Sequence, residues 1–249
     1  MPGLPLALQL YTVREALQQD PAAALRAVRA AGYEHVETAD LLGQSPEGFR
    51  RWLEDAGLAP VAMHFGAEQV LDNPALVAET LRAMGVRYAV VSWMNFDTRD
   101  AWIDAARKLD AAGAALRGEG LVLCYHNHAH EFERFGGDAA LDLLLANAAP
   151  EHLALELDIC WANVGGADPL ALLRTHAGRV PLIHAKDYRM DDGQFSFAEV
   201  GRGITDWPPI LDAAANAGAA WCIVEQDESR VGAMESARLS AEFLAALGQ

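Results

Sequence analysis

One unit recurs along the chain: a capped helix, a glycine, then a short apolar strand that runs into polar residues. Asp20-Pro21, Ser45-Pro46, Asn73-Pro74 and Asp168-Pro169 each place an oxygen-bearing cap before a proline at the first helical position, where the missing N–H is harmless. Gly32, Gly57, Gly85, Gly178 and Gly218 close helical patterns. Strands are expected at Leu4–Tyr11, His35–Ala39, Pro60–Phe65, Tyr88–Trp93, Leu121–His126, Leu153–Asp158, Val180–Lys186 and Trp221–Gln226. They recur at roughly 30 residues, the length of one strand, one helix and two turns. Unbroken apolar runs such as Tyr88-Ala89-Val90-Val91 belong to strands covered on both faces, hence to a parallel sheet wrapped by helices. Eight such units in 249 residues fit an α/β fold, a (β/α)8 TIM barrel forming a single domain over residues 1–249. An open doubly wound sheet fits less well, because Leu10-Tyr11-Thr12-Val13-Arg14 stands where its glycine-rich phosphate turn belongs. The longest connection, between the seventh and eighth strands, carries the turn signals Asp191-Asp192-Gly193 and Gly201-Arg202-Gly203.

Composition narrows the partners. Thirty-five acids against nineteen bases give a formal charge of −16, the wrong sign for gripping phosphate backbones, so nucleic acid is not expected. No run approaches eighteen apolar residues and no basic leader opens the chain, so neither a membrane span nor a signal segment is expected. Cys124, Cys160 and Cys222 are odd in number and lie in apolar runs, which predicts buried thiols and a cytoplasmic protein. Self-association into a homo-oligomer is not forbidden by the acidic exterior.

In a barrel of this kind the chemistry gathers where strands end. Those ends carry Gln9 and Tyr11, Glu37, His64, Trp93 and Asn95, His126 and His128, Asp158 and Trp161, His184 and Lys186, and Glu225 and Asp227. Residues two apart share a strand face, so His126 with His128, His184 with Lys186, and Glu225 with Asp227 are same-face pairs. His126, Asp158, His184 and Glu225, one from each of four consecutive strands, form a candidate shell for one divalent cation. The competing interpretation is a set of hydrogen-bonded rim residues.

The runs Tyr125-His126-Asn127-His128, Leu157-Asp158-Ile159-Cys160-Trp161, His184-Ala185-Lys186-Asp187, Gly201-Arg202-Gly203-Ile204-Thr205-Asp206-Trp207 and Val224-Glu225-Gln226-Asp227 are similar to those of the xylose isomerase-like barrel superfamily, in its sugar phosphate isomerase/epimerase branch. The resemblance covers nearly the whole chain. It implies a divalent ion held by Glu, Asp, His and Glu on strands five to eight, with Asp158, His184 and Glu225 at the last three places. His126 replaces the strand-five Glu, which in related epimerases also transfers a proton. Two carboxylates instead of three leave the site one unit less negative, and two imidazoles favour Mn, Co, Zn or Fe over Mg.

The implied reaction is proton removal beside a carbonyl of a small sugar, keto-sugar or cyclitol, ending in isomerisation or epimerisation. Expulsion of a β-substituent would instead make the chain a dehydratase or eliminating lyase. Glu225 is the expected base, His126 or His128 the group on the opposite face, and Lys186 a holder of the enolate oxygen. Glu37, His64, Trp161 and Arg202 are expected to touch substrate. Two further readings are a non-catalytic sugar-binding barrel and, least favoured, a DNA-repair nuclease of the endonuclease IV kind. The nuclease reading lacks several histidines, and Trp161 stands where one would be.

Overall fold

A computed structural model describes residues 3–248. Eight parallel strands close into a barrel: β1 (Leu6–Gln9), β2 (His35–Thr38), β3 (Ala59–Phe65), β4 (Tyr88–Val91), β5 (Val122–His126), β6 (Ala154–Asp158), β7 (Leu182–Ala185) and β8 (Trp221–Val224). Each is hydrogen-bonded to its sequence neighbours, and β8 returns to β1 with Leu6 opposite Cys222. The chain is a (β/α)8 TIM barrel.

The expected punctuation accounts for four of the helix starts. Asp20, Ser45, Asn73 and Asp168 each accept a backbone N–H at the start of a helix whose first residue is proline. Such caps are worth about 1 kcal/mol each. Most of the strands are shorter than expected. Leu10–Val13 leaves β1 as a 3-10 turn, because the Gln9 side chain accepts the N–H of Tyr11 and bends the chain at the mouth. The long connection after β7 contains a β-hairpin, Asp187–Asp191 paired with Gln194–Ala198, which the sequence signalled only as a turn. Asp192 and Gly193 at its tip both have positive φ, the conformation a two-residue hairpin turn requires.

Period-two alternation sorts the side chains. Leu8, Val36, Val91, Tyr125, Leu155, Leu157, Ile183 and Val224 point outward into the main apolar core with the helices. Ala7, Ala62, Val90, Cys124, Ala154, Leu182 and Ile223 point inward and plug the barrel as a separate cluster. All three cysteines are buried and unbridged. Among the described residues no helix is long and apolar enough to cross a membrane.

Candidate metal centre and active site

The site is the inward face continued upward. Two residues beyond the apolar plug, the same strands present Gln9, His64, His126, Glu156, His184 and Glu225, and β2 adds Glu37. Two residues further stand Tyr11, His128, Asp158, Lys186 and Asp227. The strand period thus produces a lower and an upper polar tier above a dry plug.

The lower tier is a closed network. Glu37 Oε2 accepts from Gln9 Nε2 and lies on His184 Nε2, both at 2.8 Å. Glu156 Oε2 lies on His64 Nε2 at 2.9 Å and on His126 Nδ1 at 3.0 Å. Both carboxylates are fully buried, and the second oxygen of each lacks a hydrogen-bond partner.

In the upper tier, the buried Lys186 Nζ sits 2.7 Å from Glu225 Oε2, 3.2 Å from Asp158 Oδ2 and 3.1 Å from Asp227 Oδ2. His184 Nδ1 is 3.0 Å from Glu225 Oε2, and His126 Nε2 is 3.9 Å from Asp158 Oδ2. Asp158 is tethered from below: its N–H donates to Asn127, and its Oδ1 caps the following helix through the N–H of Trp161.

Charge explains the shifted acidities. Burial works against ionised Glu156 and Glu225, yet His184 and His64 for the first, and Lys186 and His184 for the second, hold both carboxyls well below the usual range. Burial alone lowers His64, but Glu37 and Glu156 reverse the sign and lift it to about 10. The same two carboxylates overcome burial to raise His184. Burial with nearby His184 lowers His126 to about 4, and burial with His126 lowers His128 to about 2. Burial raises Asp158 to about 6 against the pull of Lys186.

Ligand-capable atoms of His126, Asp158, His184 and Glu225 all lie within 4.8 Å of one another. The donor set passes a physical test for a dication. Four buried carboxylates, Glu37, Glu156, Asp158 and Glu225, share the site with one buried ammonium, Lys186, which reaches only the last two and Asp227, and uncompensated buried charge costs several kcal/mol per ion. That excess calls for protons on the imidazoles or for a divalent ion. The Lys186 ammonium already occupies a cation's place between Asp158 and Glu225. The 3.0 Å separation of His184 Nδ1 from Glu225 Oε2 matches two ligand atoms about 2.1 Å from one ion and at right angles, which are about 3.0 Å apart.

A cavity of about 370 Å³ opens above, lined by Tyr11, His64, Ser92, His126, His128, Glu225 and Asp227 among others. Three further expected contact residues are not in that lining, although Trp161 stands against His128 with ring centres 5.8 Å apart. Glu37 lies beneath the cavity, bonded to Gln9 and His184. Trp161 packs on Phe195 and Phe197 of the hairpin, with Lys186 Nζ 5.4 Å from its ring centre. Arg202 is exposed, its charge felt by Glu235 on the last helix. Glu156 was not foreseen. It stands two residues before Asp158, so the alternation of Leu155, Leu157 and Ile159 around it is the signal that marks it as inward.

Comparison with known proteins agrees with this architecture. The chain is 24% identical over 255 residues to an inosose dehydratase of Lacticaseibacillus casei, covering 86% of this chain and 85% of that protein. A sugar phosphate isomerase/epimerase structure from Parabacteroides distasonis superposes with a TM-score of 0.87 at 22% identity, covering 99% of this chain and 97% of the other. A structure of the IOLI protein with a zinc atom superposes with a TM-score of 0.74 at 15% identity, covering 98% of both chains. The family model described as Xylose isomerase-like TIM barrel matches residues 25–247. The chain therefore belongs to the xylose isomerase-like TIM barrel family.

Proposed function

We propose that the chain is a divalent-metal-dependent dehydratase that removes water from a small uncharged keto-cyclitol or keto-sugar. The observation that carries this is the asymmetry of the cavity wall. Glu225 faces imidazoles, His126 and His128, where a proton-returning enzyme built on two matched carboxylates would have a second acid. The similarity to an inosose dehydratase supports the same choice.

His126, Asp158, His184 and Glu225 would hold the ion, with Mn, Co, Zn or Fe suited to the mixed imidazole and carboxylate set. When bound, such an ion supplies Lewis-acid polarisation of the substrate carbonyl. Glu225 is kept ionised by Lys186 and His184, and both of those contacts run through Oε2. Its Oε1 is available to take the proton from the carbon beside the carbonyl. The C–H electron pair forms the new C=C bond as the β-hydroxyl departs. Asp227 lines the cavity, burial raises its carboxyl, and Lys186 Nζ touches it at 3.1 Å. It is placed to return a proton to the departing hydroxyl, which leaves as water. No Lys or Arg lines the cavity among the described residues, which favours an uncharged substrate.

The test is incubation with an inosose and with keto-hexoses in D2O, with Mn, Co or Zn added singly. Growth of conjugated-enone absorbance with loss of water supports dehydration. Deuterium appearing in recovered or isomerised sugar without an enone supports the isomerase or epimerase reading. Neither enone nor deuterium exchange with any metal overturns both.

A further inference from the structure

Two rings of the lower tier each face carboxylates on both sides. His126 turns Nδ1 down to Glu156 and Nε2 up toward Asp158. His184 turns Nε2 down to Glu37, with Glu156 at 3.2 Å, and Nδ1 up to Glu225. An ionised carboxylate only accepts hydrogen bonds, so each downward nitrogen must carry hydrogen. In a neutral ring the other nitrogen is then bare. Glu156 therefore selects the His126 tautomer with a bare Nε2, whereas His184 has a carboxylate on each nitrogen and, held by Glu37 and Glu156 below, bares Nδ1 when a cation takes the place of the proton facing Glu225; both nitrogens point at the same upper space.

We propose that Glu156, with Glu37 beside it, is a positioning residue that fixes these tautomers, so that Nε2 of His126 and Nδ1 of His184 meet one cation together with Asp158 and Glu225. This rests on the metal-dependent reading above and adds a role for two carboxylates that touch neither cation nor substrate. Partnering of a ligand imidazole by a carboxylate is worth about 10- to 100-fold in metal affinity. Glu156 is suited to the task because it is held on several sides. It is fully buried, it stands in register with His126 across the β5–β6 pair, and its Oε2 is also bonded by His64. His64 lies on both carboxylates, 3.1 Å from Glu37 and 2.9 Å from Glu156, and so ties the two supports to each other. The alternative use of the lower tier is as a ligand set in its own right, since atoms of His64, His126, Glu156 and His184 also lie within 4.8 Å of one another. That arrangement would demand the nitrogens that already face the carboxylates.

The experiment is Co(II) titration of the native protein and of Glu156→Gln and Glu37→Gln, followed by visible absorption and by metal counting per chain. Native protein is expected to bind one cobalt. Glu156→Gln should weaken binding about 10- to 100-fold and alter the cobalt d–d bands, with the circular dichroism of the fold retained. Glu37→Gln supports one ring only and should weaken binding less. If Glu156→Gln does not fold, Glu37→Gln carries the test, with an unchanged affinity and spectrum overturning the proposal. Equal affinity and spectrum in Glu156→Gln and native protein would also overturn it. So would two cobalt ions per native chain with one lost in Glu156→Gln, because Glu156 would then be a ligand. Native protein that takes up no cobalt overturns the metal reading itself, and this proposal with it.

Discussion

Glu156 Oε2 lies 3.0 Å from His126 Nδ1, and the two residues face each other in register on adjacent strands. A carboxylate in the same layer as three of the candidate ligands thus governs a ring that replaces the carboxylate expected on the fifth strand. Glu156 and Glu37 hold the rings from one side, and Glu225, Asp158, Lys186 and Asp227 gather on the other.

Replacing Glu225 by Gln removes the proposed base while keeping its size. The expected result is a fall in kcat of about 10²- to 10⁴-fold. A weaker hold on the cation accompanies it, because one carboxylate ligand is lost. Steady-state kinetics at saturating metal check the first effect, and metal titration the second.

Cation affinity should depend on pH through His184. Without a cation, burial opposes its protonation, but Glu156 and Glu37 raise its pKa, so the ring carries a second proton beside Glu225. Binding at Nδ1 must expel that proton. Affinity therefore rises with pH, by about tenfold per unit where one proton is released. Titration calorimetry in buffers of different ionisation enthalpy counts the protons. In metal-free protein His64, lifted to about 10, contributes stability that is fully present below about pH 6.5 and is lost as pH rises through its folded value. His64→Gln should flatten that decline in urea unfolding.

Asp187 anchors the segment between the hairpin and the next helix. Its carboxylate accepts from the N–H groups of Tyr188 (2.9 Å), Gly201 (3.1 Å), Gly203 and Thr205 (both 3.2 Å) and from the Trp207 indole (3.0 Å). Asp187→Ala leaves these donors without their acceptor. The expected loss is on the order of 3 kcal/mol, or roughly 6–12 °C in Tm for a chain of this size. Thermal unfolding checks it.

Gly113 marks a place where two backbones meet. A Cβ there would overlap the carbonyl of His152 in the turn before β6, so Gly113→Ala must push backbone aside. Overpacking of this kind costs about 1–3 kcal/mol. Chemical denaturation should show that loss, with kcat unchanged because the contact lies away from the mouth.

Much of the fold was legible because its punctuation is local. Each Asp, Ser or Asn before proline caps a helix through its own side chain, and no distant contact is needed to see it. His126, Asp158, His184 and Glu225 were legible because strand ends face one mouth. Glu156 was hidden inside the apolar run Leu153-Ala154-Leu155-Glu156-Leu157, where its partners are on other strands. Glu37 looked like a substrate contact because β2 ends near it, but the depth of a side chain in the barrel depends on the stagger of all eight strands. Arg202 follows a turn whose direction Asp187 sets, and no local rule carries that information. The hairpin at Asp187–Ala198 was legible in principle: Tyr188 and Met190 alternate with Asp187, Arg189 and Asp191, Phe195 and Phe197 alternate with Gln194 and Ser196, and Asp192-Gly193 supplies the turn.

The most direct test is anomalous diffraction from crystals soaked in Mn, Co or Zn. One peak per chain is expected, within about 2.0–2.3 Å of His126 Nε2, His184 Nδ1 and a carboxylate oxygen each of Asp158 and Glu225. A peak below those rings, among His64, His126 Nδ1, Glu156 and His184 Nε2, or no peak with any of the three ions, would contradict it.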